Sequence, residues 1–394
     1  MFSLMTPLPP DPVLSITTKF NADPRTQKFD LGVGVYRDET GHTPIPAAVK
    51  QAERDILAAQ TTKTYISPAG NPAFNDAVSK LVLGESLDTA RTFAVQTPGG
   101  TGAIKNLLDL AFQVMPDAVV WLSAPTWPNH GPIAAAAGLI TASYPYYDVR
   151  TGTLLFDEMM SALAQVPAGD IVVLHGCCHN PSGADLSLDQ WAEVAALLEK
   201  RGAIPLIDIA YLGLGDGLDE DAKGLRLIAT RCEEVMIAAS CSKNFGLYRD
   251  RVGAAIVKTA SAELKQVGFD NAAYISRSAF SMPPDIGASV VARVLETEAL
   301  RASWIEELDT MRRRINDLRG LLTDELRQQT NSERFDFLAG QKGMFSLLGT
   351  SPAQAATLER DHGVYLPASG RINIAGLNTK AIAPVATAIA AVCR

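Results

Sequence analysis

The sequence lacks any apolar run near the ~20 residues needed to span a bilayer, so its 47% hydrophobic content is that of a globular interior. It also lacks an export signal: the opening "MFSLMTPLPPDP" has neither a charged start nor an apolar core, and the first basic residue is Lys19. The cytoplasm is the expected compartment. Cysteine is scarce, with five residues at 177, 178, 232, 241 and 393 and no CxxC pair, which speaks against a disulfide framework and fits free thiols in a reducing compartment. A formal charge of −8 removes the basic footprint of nucleic-acid-binding proteins. The one basic run, "MRRRINDLR", falls on a helix whose apolar residues Trp304, Leu308, Met311, Ile315, Leu318 and Leu322 alternate spacings of four and three. That pattern puts Arg312, Arg313, Arg314 and Arg319 mostly off the buried stripe, on a solvated face. GxxxxGK[ST], HExxH, GxSxG and a GxGxxG after a strand are also missing.

What is present is a chain of 394 residues, longer than the roughly 100 to 200 residues of one domain, so two domains are expected. Short apolar runs alternate with helical patterns: "AVVWLS" (118–123), "IVVLHG" (171–176), "IPLIDIA" (204–210), "VMIAAS" (235–240) and "GAAIVK" (253–258). The alternation predicts an α/β fold, with a mostly parallel sheet covered by helices on both faces. One crossover helix is marked at both ends: Ser187 and Gln190 form a capping box ahead of Trp191, Val194, Leu197 and Leu198, and Gly202 stops it. From about residue 300 the pattern changes to a long helix and two strand-like segments, "GMFSLLG" and "RINIAG", which read as a smaller α+β domain. The expected division is a Pro-rich extended arm at 1–12, a small domain of 13–45 with 300–394, and a large domain at 46–299.

In open α/β sheets ligands bind beyond the carboxyl ends of strands, and Asn180, Asp208 and Lys243 all fall at or just after such ends. The stretch "TPGGTGA" (97–103) opens a helical pattern and offers backbone N–H groups and the Thr101 hydroxyl to a phosphate, although such a turn is as often structural. In "AASCSKNFGLYRDR" (238–251), Lys243 follows Ser240 and Ser242, with Arg251 eight residues on. A lone lysine is usually a solvated charge. Here an apolar strand leads into a polar, cationic setting. Burial and like charge both lower an amine's pKa and free it as nucleophile or base, which is what a Schiff-base lysine requires.

Six motifs in order, "TPGGTGA", "PTWPNHG", "HGCCHNPSGADL", "LIDIAYLGLGDGL", "SCSKNFGLYRDRVG" and "GRINIAG", resemble the pyridoxal-phosphate-dependent aspartate/aromatic aminotransferases of the class I, fold type I family. The likeness runs from "LGVGVYRDETG" to "RINIAGL" and looks closest to the bacterial aromatic enzymes. It implies pyridoxal 5′-phosphate as cofactor, held covalently by Lys243, which then moves a proton at the substrate α-carbon. It implies that Asp208 pairs with the pyridinium nitrogen and that His130 orients that aspartate. Asn180 and Tyr211 would donate to the cofactor's 3′ oxygen, and Trp127 would stack on its ring. Gly100, Thr101, Ser240, Ser242 and Arg251 would hold the phosphate, joined by Tyr65 from a neighbouring subunit. Arg371 would clamp the substrate α-carboxylate, Arg277 would reach across a homodimer to a distal carboxylate, and the loop of Gly34 would lie over the substrate. Without the resemblance, Asp208 and Asn180 read as turn residues, Trp127 and His130 as core, and Arg277 and Arg371 as surface charges.

The substrates implied are amino acids and 2-oxo acids. Met282 and Thr64 stand where strict aspartate enzymes often have asparagine, which favours a pocket taking aromatic amino acids as well as aspartate; Thr43 and Thr101 single out neither. A strict aspartate aminotransferase and another fold type I enzyme stay open as alternatives. An NAD enzyme lacks its fingerprint, and a non-catalytic regulator lacks an added DNA-binding domain. Arg249 has no assigned role.

Overall fold

A computed structural model describes residues 2–6 and 12–393. The arm expected at 1–12 lies partly outside them, and its described part is not extended throughout: Phe2–Leu4 makes one 3-10 turn. All five expected apolar runs are strands of a single seven-stranded sheet. In chain order its strands are β1 (Thr92–Pro98), β2 (Val119–Ala124), β3 (Ile140–Pro145), β4 (Ile171–His175), β5 (Ile204–Ile209), β6 (Val235–Ser240) and β7 (Val252–Lys258). Their spatial order is β1-β7-β6-β5-β4-β2-β3. Strand β7 runs antiparallel to both of its neighbours, while the pairs from β6 to β3 are parallel, so the sheet is mixed but mostly parallel.

Apolar clusters cover both faces of this sheet, and β6 and β7 are buried along their whole length. Burial on both faces is why these strands are continuous apolar runs rather than alternating ones. Helix α1 (Gly99–Val114) starts directly after β1, so its first turn lies at the carboxyl edge of the sheet. Helix α2 (Leu188–Arg201) has both hydrogen bonds of the Ser187–Gln190 capping box and ends at Gly202, whose φ of 65° is left-handed.

Helix α3 (Ala262–Phe280) crosses β1, and the 33-residue helix α4 (Glu298–Thr330) opens the C-terminal part of the chain. There the segments "GMFSLLG" and "RINIAG" form an antiparallel ribbon of β8 (Phe345–Leu347) and β9 (Arg371–Asn373), with Phe345 opposite Asn373. The N-terminal segment joins it: Phe29–Asp30 pairs in parallel with Val364–Tyr365.

The solvated face expected for the arginines of α4 needs one correction. Arg319 is 2% exposed, and its guanidinium bonds Ser346 Oγ and the carbonyls of Gly343 and Phe345. It lies four residues after Ile315 and three before Leu322, on the buried stripe itself. Burial pulls its pKa down to about 10. A long side chain with five donors suits an interior site where three oxygens need partners.

Candidate active site

The carboxyl ends of β5 and β6, the turn after β4 and the start of α1 enclose a cavity of about 170 Å³. Its lining brings together Gly100, Thr101, Trp127, Asn180, Asp208, Tyr211, Ser240, Ser242, Lys243 and Arg251, ten of the residues singled out from the sequence. Two more attach to its wall. His130 Nε2 lies 3.2 Å from Asp208 Oδ2, and Arg371 Nη1 donates to Asn180 Oδ1 at 3.3 Å.

Lys243 lines this cavity, half-buried, with Nζ 4.8 Å from the centre of the Tyr211 ring. Burial lowers its pKa to about 8, with Asp208 pulling it up and Arg251 and Arg371 pushing it down. A substantial share of the amine is therefore neutral near physiological pH, the state that attacks carbonyl carbon. Burial pushes the Asp208 carboxyl up, but the hydrogen bond from His130 and nearby positive charge outweigh it and hold the pKa below the usual carboxylate value. Asp208 is thus a largely shielded anion.

Behind Asp208, His130 meets two further histidine rings, His175 and His179, that were not singled out from the sequence. Thr126 Oγ1 is 2.7 Å from His130 Nδ1 and 3.1 Å from His175 Nε2, and the His175 and His179 rings are 4.1 Å apart. Burial drives the His175 pKa well down, and that of His179 to about 3, so both are neutral rings that shape the wall behind Asp208.

Opposite Asp208 the groups suit a phosphate. Ser240 Oγ and Ser242 Oγ are 3.2 Å apart, Arg251 Nη1 donates to Ser242 Oγ at 3.4 Å, and Gly100 opens the first turn of α1. Space at that turn is reserved for glycine: a Cβ on Gly99, whose φ is +71°, would stand 2.6 Å from the Arg251 guanidinium, and one on Gly100 would stand 3.0 Å from Ser240 Cβ. Arg251 itself holds a left-handed φ of 55°, a conformation costing a bulky residue on the order of 1 kcal/mol, and such strain collects at functional sites.

The substrate end is built from other segments. Arg371 is 8% exposed and lies over the Phe345 ring, with its guanidinium carbon 4.2 Å from the ring centre. Its Nη2 donates to Gly32 O at 2.9 Å, and its Nε has no protein partner. Gly34 belongs to the loop that Arg371 touches, and a Cβ there would come within 3.0 Å of Phe345 Cζ. Phe345 escaped sequence reading because one aromatic in a short strand carries no positional signal. Gly34 is outside the cavity lining, and two expected residues lie away from the site altogether. Tyr65 is 89% exposed, and Arg277, in the last turn of α3, donates to Ser281 Oγ at 3.0 Å.

Residues 26–389 match the family model described as aminotransferase class I and II. The chain belongs to the class I and II aminotransferases. This aminotransferase is 49% identical over 389 residues to the aromatic-amino-acid aminotransferase of Paracoccus denitrificans, covering 99% of each chain. It is 43% identical to the aspartate aminotransferase of Escherichia coli, covering 100% of each. Its fold matches that of the aromatic-amino-acid aminotransferase of Burkholderia pseudomallei, solved covalently bound to pyridoxal phosphate, with a TM-score of 0.97 and 40% identity over 100% of both chains. Pyridoxal phosphate is the cofactor of this family. The residues of this aminotransferase fit it: an anionic carboxylate for a protonated ring nitrogen, a partly neutral lysine for an aldehyde, and a glycine, serine and arginine cradle for a phosphate.

Proposed function

We propose that this enzyme moves the amino group between aromatic amino acids or aspartate and 2-oxoglutarate in two half-reactions at one site, a ping-pong scheme. The observation that carries the reading is the convergence of Lys243, Asp208 and Arg251 on one cavity whose wall touches Arg371. When bound, pyridoxal phosphate supplies an electron sink for the negative charge that develops at the substrate α-carbon. Lys243 would be the residue that holds the cofactor, and its Nζ, lining the cavity, would serve as the base that moves the α-carbon proton. Asp208, kept anionic and oriented by His130, would hold the proton on the ring nitrogen. Asn180 Nδ2 lies 3.3 Å from Tyr211 Oη, so the two converge to donate to the ring oxygen. Trp127 would cover the ring face, and Gly100, Thr101, Ser240, Ser242 and Arg251 would hold the phosphate. Arg371 takes the substrate α-carboxylate with a planar fork of donors.

Tyr65, Arg277 and Met282 are read as parts of the site of a second copy of the chain in a homodimer. They share one patch: Met282 Sδ lies 3.3 Å from the backbone nitrogen of Ile66. Exposed Tyr65 and Tyr274 suit a surface that another subunit covers. In that patch Arg277 would receive a distal carboxylate, while Met282 and Thr64 leave an apolar wall for an aromatic ring. The domain division of 13–45 with 300–394 against 46–299 belongs to this reading, with the Gly34 loop on the moving side. Free buried thiols accord with the cytoplasm.

Half-reactions with aspartate and with phenylalanine, followed by the bleaching of the cofactor's visible absorbance, test the substrate class. Comparable rates are expected. Phenylalanine slower by about a thousandfold or more, beyond what one or two wall contacts supply, leaves a strict aspartate aminotransferase as the reading.

A further inference from the structure

The loop from Asp30 to Arg37 carries Gly34, yet little of its backbone is paired with other strands. Its carbonyls are instead held by two side chains that stand two residues apart on β9. Arg371 Nη2 takes Gly32 O at 2.9 Å, and Asn373 Nδ2 takes both Val33 O and Val35 O at 2.7 Å. The Asn373 backbone N–H adds a bond to Leu31 O at 2.9 Å. Farther along, Arg37 pairs with buried Asp30 at 2.8 Å, and the backbone N–H of Tyr36 donates to Tyr248 Oη at 3.1 Å. The loop therefore ties the strand of Arg371 to the segment that follows Lys243.

The chemistry of Asn373 is one-sided. The side chain is 1% exposed, and both hydrogens of its amide nitrogen are spent on the loop, while Oδ1 is buried with no hydrogen-bond partner. A residue retained for the packing of this spot alone would be apolar, because an unmet buried acceptor costs stability. Two carbonyls 2.7 Å from one nitrogen demand an NH₂ donor, which serine supplies only in part and aspartate not at all. The fit is close: a Cβ on Gly376 would stand 3.0 Å from that same nitrogen.

We infer that Asn373 is a positioning residue for capture of the substrate carboxylate, acting through the Gly32–Val35 backbone that it holds against Arg371. The inference rests on the proposed role of Arg371 as the carboxylate clamp. The loop carbonyl of Gly32 occupies part of the Arg371 fork. Where that carbonyl stands decides which N–H groups face an incoming carboxylate, and how closely the loop can cover it. Freeing Val33 O and Val35 O lets the loop drift, which weakens binding while leaving Lys243, Asp208 and Tyr211 in place.

The test is steady-state kinetics of the holoenzyme carrying N373A, with aspartate and with phenylalanine, alongside a pH titration of the cofactor absorbance. The expected result is a KM raised about 10- to 100-fold for both amino acids, a kcat within about threefold of wild type, and an unchanged absorbance midpoint. N373S, which keeps one donor, is expected to fall between, and it carries the same test should N373A fail to fold. A KM within about twofold of wild type overturns the inference, as does a kcat and an absorbance midpoint that move together with KM. R371A run in parallel separates the two readings. If R371A raises KM and N373A does not, only the role of Asn373 fails; if R371A leaves KM unchanged, the carboxylate clamp itself is wrong.

Discussion

The cavity around Lys243 and the segments around Arg371 differ in how much of their chemistry one chain completes. At the lysine end every group comes from the carboxyl edge of one sheet or the helix that starts there, and the charged members face each other inside a single cavity. At the arginine end a loop, a two-stranded ribbon and a helix terminus contribute, and the expected Arg277 and Tyr65 point into solvent. The cofactor half follows from where β5 and β6 stop. The substrate half depends on a loop held by side chains and, on our proposal, on a second chain.

Changes at the lysine end are expected to be the most severe. On the proposed roles Lys243→Ala removes both the covalent tether and the base, and turnover should fall by about four orders of magnitude or more; near-normal single-turnover rates would break the assignment. Asp208→Asn removes the anion proposed to keep the ring nitrogen protonated, with kcat expected to fall about a thousandfold while KM for the amino acid changes little. A loss confined to KM would move Asp208 to the substrate end of the comparison.

Arg277→Ala sharpens the other side. It should lower kcat/KM for aspartate about a hundredfold, the value of one charged contact, and for phenylalanine by less than about threefold. Equal losses for both substrates would mean that Arg277 supports the fold of the site rather than a distal carboxylate.

The smallest effect is a shift in pH dependence. Because the Lys243 pKa is lowered to about 8, capture of pyridoxal phosphate by the cofactor-free chain should rise with pH through that value and then level. Below it, each unit of acid leaves about a tenth as much neutral amine. Asp208 raises this pKa, so Asp208→Asn should move the midpoint lower; a midpoint at the ordinary lysine value of 10.5 would contradict the buried setting.

The parts of the fold that could be read from sequence were those whose physics is local. Five strands were visible because burial on both faces makes them unbroken apolar runs. Strand β1 was not, since Thr92, Gln96 and Thr97 interrupt it while lying buried, and β3 was not, since it is a sheet edge that exposes Ile140. Arg319 was misread because residue type suggested solvent where helical spacing from Ile315 places it in the core. Among the site residues, Lys243, Asp208 and Arg251 carried ordered motifs around them. Phe345 and Asn373 act through contacts between segments distant in sequence, such as Asn373 with Val33, and Thr126 meets His175 the same way; the motifs that contain Asn373, Thr126 and His175 do not mark those contacts.

The claim that one half of the site belongs to a single chain and the other half to a pair is tested most directly by co-expressing two variants that are each crippled with aspartate. Lys243→Ala supplies an intact Arg277, and Arg277→Ala supplies an intact Lys243, so a mixed dimer contains one complete site. With random pairing, aspartate turnover is expected to recover to about one quarter of wild type. Activity no greater than the sum of the two variants made separately would contradict the account and return Arg277 to its own chain.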